Sequence, residues 1–101
     1  MMIRGTTPTH IFEIPIDSSL LKQVQITYAQ GSANLLVKTI EDCVLDGNSI
    51  SVTLSQEETL MFSHKKDVEV QIRVLTKDGT AMATTVRQVD VGRVLNEEVL
   101  V

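Results

Sequence analysis

Few side chains in this sequence could do chemistry, and no spacing joins them into a working set. Nucleophilic catalysis needs a nucleophile, a base and usually a third group that orients the base. Cys43 with His10 or His64 is the one formal combination. Cys43 follows Asp42 in a run that reads as strand, and a neighbouring carboxylate raises a thiol's pKa, which opposes reactivity. A small structural residue is the expectation there. Zinc asks for about four ligands, often in close pairs; one Cys and two scattered His do not supply them. His10 is expected on a strand end and His64 in a loop. Asp46-Gly47-Asn48 resembles a fragment of a calcium loop, but the other ligand positions are absent, so it reads as a turn. Glu57-Glu58 could form an acid pair. Ser55 three residues before Glu58 makes a helix cap the better account, with both carboxylates favoured by the helix dipole. Gly5, Gly31, Gly47, Gly79 and Gly92 stand singly at turns or ends, so no phosphate loop exists. No catalytic, cofactor-binding or metal-binding residue is assigned, and the chain reads as a non-enzyme without a cofactor.

Composition narrows the remaining classes. With 101 residues there is room for one domain and one core. Hydrophobic residues make up 43%, too many for a disordered chain, while aromatics reach only 3%. The core must therefore come from Ile, Val and Leu, which favours strand. Net charge is −4 and the longest basic run is Lys65-Lys66. Nucleic-acid binders present a basic stripe and often stacking aromatics, so nucleic acid is not expected as a partner. The lone cysteine excludes an internal disulfide. Met1-Met2-Ile3-Arg4 runs into polar Gly5-Thr6-Thr7-Pro8, unlike a signal peptide. No stretch approaches the ~18 apolar residues of a membrane span. Synthesis in the cytoplasm and no membrane partner are the expectations.

The elements follow from period and turn chemistry. Residues 1–8 read as an irregular leader. Residues 10–16 alternate, with His10, Phe12, Ile14 and Ile16 on one side, and Pro15 marks a sheet edge. Residues 23–30 alternate, with Val24, Ile26 and Tyr28 inward. Gly31-Ser32-Ala33-Asn34 is a hairpin loop. Residues 35–45 form a longer apolar run that Glu41-Asp42 should bulge or break. Asp46-Gly47-Asn48 is the strongest hairpin signal, followed by Ile50, Val52 and Leu54 at period two. Ser55 to Glu58 opens one or two helical turns over 56–61. Val68, Val70, Ile72 and Val74 form the best strand, and Lys77-Asp78-Gly79 turns it. Residues 81–91 give a last strand. Six to seven strands, turn signals about every 8–12 residues and one short helix predict an all-β chain. The architecture expected is an antiparallel immunoglobulin- or fibronectin-III-like β-sandwich over 9–91. Long helices for parallel crossovers are missing. So are a core Trp and a Cys pair, and Phe62 stands where a corner Tyr would.

Two surfaces could bind. One is the polar face of the paired strands: Gln23, Gln25, Thr27, Glu69, Gln71 and Arg73. It could meet carbohydrate or protein, or simply be a solvated sheet face. The other is the apolar tail, residues 92–101, whose Val94, Leu95, Val99, Leu100 and Val101 are the interface candidates. They either fold back onto the sandwich or serve as an assembly handle.

Five segments carry a resemblance: Arg4-Gly5-Thr6-Thr7-Pro8-Thr9, Ile26-Thr27-Tyr28-Ala29-Gln30, Leu54-Ser55-Gln56-Glu57-Glu58-Thr59-Leu60, Val70-Gln71-Ile72-Arg73-Val74 and Val94-Leu95-Asn96-Glu97-Glu98-Val99. Together they resemble short proteins encoded in prophages of Gram-positive bacteria, loosely similar to phage tail and baseplate β-sandwich domains. The likeness spans most of the chain and brings no site residues with it. It implies a virion or assembly role by analogy, with incorporation into a phage particle. The expected function is a non-enzymatic structural or accessory module acting through protein–protein contact or self-association. The alternative is a small carbohydrate-binding or adhesin-like module, against which the few aromatics weigh. A small-molecule ligand is not expected.

Overall fold

Alternation of apolar and polar residues produces two antiparallel sheets that face each other. The computed structural model describes residues 1–101. Its strands are β1 (Met2–Ile3), β2 (Thr9–Glu13), β3 (Leu21–Gln30), β4 (Ala33–Thr39), β5 (Cys43–Asp46), β6 (Ser49–Thr53), β7 (Val68–Thr76), β8 (Ala81–Ala83), β9 (Arg87–Val89) and β10 (Val91–Gly92), with one helix, α1 (Gln56–Leu60). One sheet runs β2-β6-β5. The other runs β4-β3-β7-β8, with β9 also pairing β7.

Register sets the core. Val24, Ile26 and Tyr28 of β3 stand opposite Val74, Ile72 and Val70 of β7. On the other sheet, Phe12 and Leu45 both flank Ile50, while His10 and Cys43 both flank Val52. The inward side chains of both sheets join a single buried cluster with Leu54 and Phe62. A one-residue slip would turn every one of these outward, so the pattern fixes the pairing. The chain is all-β and antiparallel in its two main sheets. As Pro15 implies, β2 is an edge strand, and it ends two residues before the proline.

Local expectations change in the β3–β4 loop and over residues 81–91. Only Gly31-Ser32 form the β3–β4 loop, because Ala33 and Asn34 already pair with Gln30 and Ala29. Gly31 and Gly47 take φ of +60° and +55°, and no non-glycine residue has positive φ, so each two-residue hairpin needs the left-handed conformation only at its first position. The run 35–45 breaks into two strands at Glu41-Asp42, one of the two outcomes expected there. A 3-10 turn spans Ile40–Asp42, with the Asp42 carboxylate accepting from Thr39 N at 2.8 Å. That turn carries the chain from one sheet to the other. Residues 81–91 are not one strand. Between β8 and β9 the Thr84 hydroxyl accepts from Ile72 N at 3.3 Å and Thr84 N donates to Ile72 O at 3.0 Å, so a side chain replaces part of the ladder.

The leader is also more than irregular. Met2 and Ile3 pair in parallel with Val91 and Gly92, and Met2 is buried. This pairing joins the two chain ends, so no crossover helix is needed and no local periodicity announces it. Gly92 permits the approach: a Cβ there would stand 2.9 Å from Met1 Sδ and 3.0 Å from Ile3 Cγ1.

Candidate functional site

The leader, α1 and the tail converge on Arg4. Helix α1 exists because Ser55 caps it. Ser55 Oγ accepts from Glu58 N at 3.1 Å, and Glu58 Oε1 accepts from Ser55 N at 2.8 Å. That box presents Thr59 and Gln56 to the chain ends. Thr59 is fully buried, and its hydroxyl accepts from Gly5 N and donates to Thr6 O, both at 2.9 Å. The leader is thereby bound to α1. Arg4 Nη2 donates to Leu60 O at 2.9 Å, and its Nη1 meets Glu97 Oε1 of the tail at 2.6 Å. The Arg4 side chain is 14% exposed and its Nε is buried without an acceptor. Further along, Gln56 Nε2 donates to Leu100 O at 2.9 Å while Leu100 N donates to Gln56 Oε1 at 2.8 Å. One side-chain amide thus satisfies both backbone groups of a tail residue, as a neighbouring strand would.

The five interface candidates divide. Val94 and Val99 are half-buried. Leu95 is 90% exposed, Leu100 77%, and Val101 is fully exposed. Nearby on the leader, Met1 and Ile3 beside Gly92 are exposed as well. The segment folds back through polar clips yet presents large apolar side chains to solvent. Arg4, Gln56 and Thr59 carry no local signal of this role in the sequence. Arg4 and Glu97 are 93 positions apart, and nothing in composition or spacing links them.

The residues weighed for chemistry do not assemble. His10 and Cys43 lie on opposite sides of Val52, about two strand spacings or ~9.5 Å apart. His10 Nδ1 instead bonds Tyr28 OH at 2.7 Å, and Cys43 Sγ donates to Thr39 O at 3.2 Å. Burial, then the Asp42 charge, pushes the Cys43 thiol up. Burial, then the Met1 ammonium, pushes His10 down. Tyr28 is pushed far up, chiefly by burial. His64 sits exposed in a turn. No three His, Cys, Asp or Glu side chains group closely enough to hold a metal ion. Glu58 has a partner beyond its cap: Lys38 Nζ lies 2.6 Å from Glu58 Oε2. Burial raises the Glu58 carboxyl, but the Lys38 and Ser55 hydrogen bonds outweigh it and hold the group below its usual range.

Register brings the polar face together, setting Gln25 opposite Arg73 and Thr27 opposite Gln71. Two shallow hollows mark it. One of about 210 Å³ is bordered by Thr27, Asn34, Glu69 and Gln71, and one of about 180 Å³ by Gln23, Gln25 and Arg73. Phe12, Tyr28 and Phe62, the whole aromatic complement, are buried. No helix is long and apolar enough to cross a membrane. No protein-family model, curated protein or solved structure matches the chain.

Proposed function

We propose that this chain is a non-enzymatic structural or accessory module of a phage-type assembly. It works by protein–protein contact through residues 92–101. The observation that carries this reading is the tail itself: Leu95, Leu100 and Val101 stand in solvent on a segment tied down by Arg4 and Gln56. Large exposed apolar side chains held on an ordered segment suit a contact surface. The phage setting rests on the resemblance of the five segments alone.

The proposal includes an immunoglobulin- or fibronectin-III-like architecture. Strand order supports it. With β2, β3, β4, β5, β6, β7 and β8 taken as B, C, C′, D, E, F and G, the sheets read B-E-D and C′-C-F-G, the neighbours of an immunoglobulin-type sandwich. The fully buried Tyr28 occupies strand C, where such domains bury a Trp, and packs on Phe62 with ring centroids 6.1 Å apart. The carbohydrate alternative draws less support. Its polar face has hollows but no exposed aromatic ring for a sugar to stack on.

Light scattering behind size exclusion tests the reading, comparing the full chain with one stopped at Gly92. The expected result is association of the full chain and a folded, monomeric truncation. Two folded monomers, or a truncation that unfolds, would overturn the tail's role as the contact.

A further inference from the structure

We infer that the tail is exchangeable: residues 93–101 of one copy occupy the Arg4 and Gln56 clips of a second copy, and the reverse, in a reciprocal dimer. The inference deepens the proposed function and rests on its assignment of the tail as a contact element. Three observations carry it.

The receptor for the tail is already visible, and this chain supplies it. Arg4 Nη1 takes Glu97, the Gln56 amide takes both backbone groups of Leu100, and Val94 lies beside Gly5 and Leu60. A second copy therefore carries both a matching tail and a matching receptor, so every clip made within one copy can be remade between two. The partner's chemistry is set by this self-complementarity, because a carboxylate must meet Arg4 and an extended backbone must meet Gln56.

The clips are also weak enough to open. When Glu97 leaves, it returns to water from a site where it is already 63% accessible, and Arg4, 14% exposed, keeps its bond to Leu60 O. The tail contributes no residue to the buried core, and beyond β10 it has no strand or helix. The pivot is well defined, because Val91 is buried and Gly92 is wedged against Met1 and Ile3. Opening therefore begins at Arg93.

The closed form leaves something for the dimer to gain. Leu95 and Leu100 are exposed when the tail lies on its own chain. Glu97 is five residues past Gly92, which limits its reach to roughly 17 Å from the pivot. A tether this short holds two exchanging copies with their tail-bearing ends together. The exposed Leu95, Leu100, Met1 and Ile3 of both copies are then close enough to be covered.

Charge exchange tests this directly. Arg4→Glu and Glu97→Arg each place like charges at their own clip. Mixed one to one, they can restore both ion pairs only by exchanging tails. Native mass spectrometry of the mixture should show heterodimer roughly tenfold or more above the dimer of either variant alone. The double variant, which restores the ion pair within one chain but not the Arg4 bond to Leu60 O, should show no excess of dimer over the unmodified chain. Persistent monomers in the mixture, or equal dimerisation of each variant alone, would overturn exchange. If Arg4→Glu fails to melt cooperatively, the decisive variants are Gln56→Cys and Leu100→Cys, each in a Cys43→Ser background. Mixed in a glutathione redox buffer, they should form a disulfide between the two introduced thiols that links one chain to the other, and its absence would overturn the exchange. Tail-dependent association of the full chain without heterodimer would sink the exchange alone. Loss of tail-dependent association altogether would sink the proposed function with it.

Discussion

The paired sheets and the tail clasp are held by different physics. Between the sheets, Ile26, Ile50, Leu54, Phe62, Val68 and Ile72 are almost wholly excluded from water. Each contributes roughly 1.5–3 kcal/mol of transfer free energy from dense, non-directional packing. The clasp around Arg4 is directional. On the tail it consists of one ion pair to Arg4 and a reciprocal amide pair to Gln56, set on a leader that Arg4 and the buried Thr59 hydroxyl fasten to α1. Packing of the first kind makes a cooperative unit. Contacts of the second kind can be made, broken and remade with another molecule at small cost. A chain of this size can hold a stable scaffold and an adaptable end because the two rely on separate interactions.

The largest effect should come from the scaffold. Ile26→Ala or Ile72→Ala leaves a cavity at the centre of the β3–β7 pairing and should cost about 2–5 kcal/mol in urea unfolding. A loss well under that range would mean the sheets are not packed as described.

Thr59→Val probes the joint between the two regions. It strands Gly5 N and Thr6 O beneath a buried side chain, for a loss of about 1–3 kcal/mol. Unchanged stability would show that the leader is not held by this hydroxyl.

Acid should separate the regions next. His10 has a folded-state pKa below the ordinary 6.5, so its contribution is present above that value and is lost as pH falls below it. Glu58 has a depressed pKa, so its contribution is present above the ordinary carboxylate range and is lost as pH falls through that range toward the folded-state value. Thermal midpoints should therefore decline first through His10 and then, in stronger acid, through Glu58. His10→Gln should flatten the first decline, and Lys38→Met, by letting the folded-state Glu58 carboxyl rise toward its ordinary value, should shrink the second. A midpoint that rises on acidification from neutral pH would contradict the His10 assignment, and one that rises through the carboxylate range would contradict that of Glu58.

Glu97→Gln should have the smallest effect on folding. Removing one exposed partner of Arg4 should change unfolding by less than about 1 kcal/mol. A loss comparable to Ile26→Ala would merge the clasp with the core and erase the contrast between them.

How far the sequence could be read follows the same division. The inward sets Val24-Ile26-Tyr28 and Val68-Val70-Ile72-Val74, the edge position of β2, the Gly47 hairpin and the Ser55–Glu58 box were legible, because period and turn chemistry are local. The parallel pairing of Met2–Ile3 with Val91–Gly92 was hidden, since two-residue strands carry no period. Lys38 was hidden because a cation on an inward position needs Glu58, twenty residues on, to explain it. The break at Thr84 was hidden because a hydroxyl stands in for a carbonyl there. The tail's apolar residues were picked out by type, but their division into half-buried Val94 and Val99 and exposed Leu95, Leu100 and Val101 depends on Arg4 and Gln56. Those contacts span most of the chain.

Native-state hydrogen exchange tests the central contrast most directly. The amide of Ile26, in the middle of β3 between β4 and β7, should exchange only through global unfolding, with protection that follows urea stability. The amide of Leu100, held by the Gln56 side chain alone, should exchange through a far smaller opening that urea barely affects. Equal protection of Leu100 and Ile26 would mean the tail unfolds only with the sheets. It would then be core and not contact, and the account of a free-standing scaffold with an adaptable end would be contradicted.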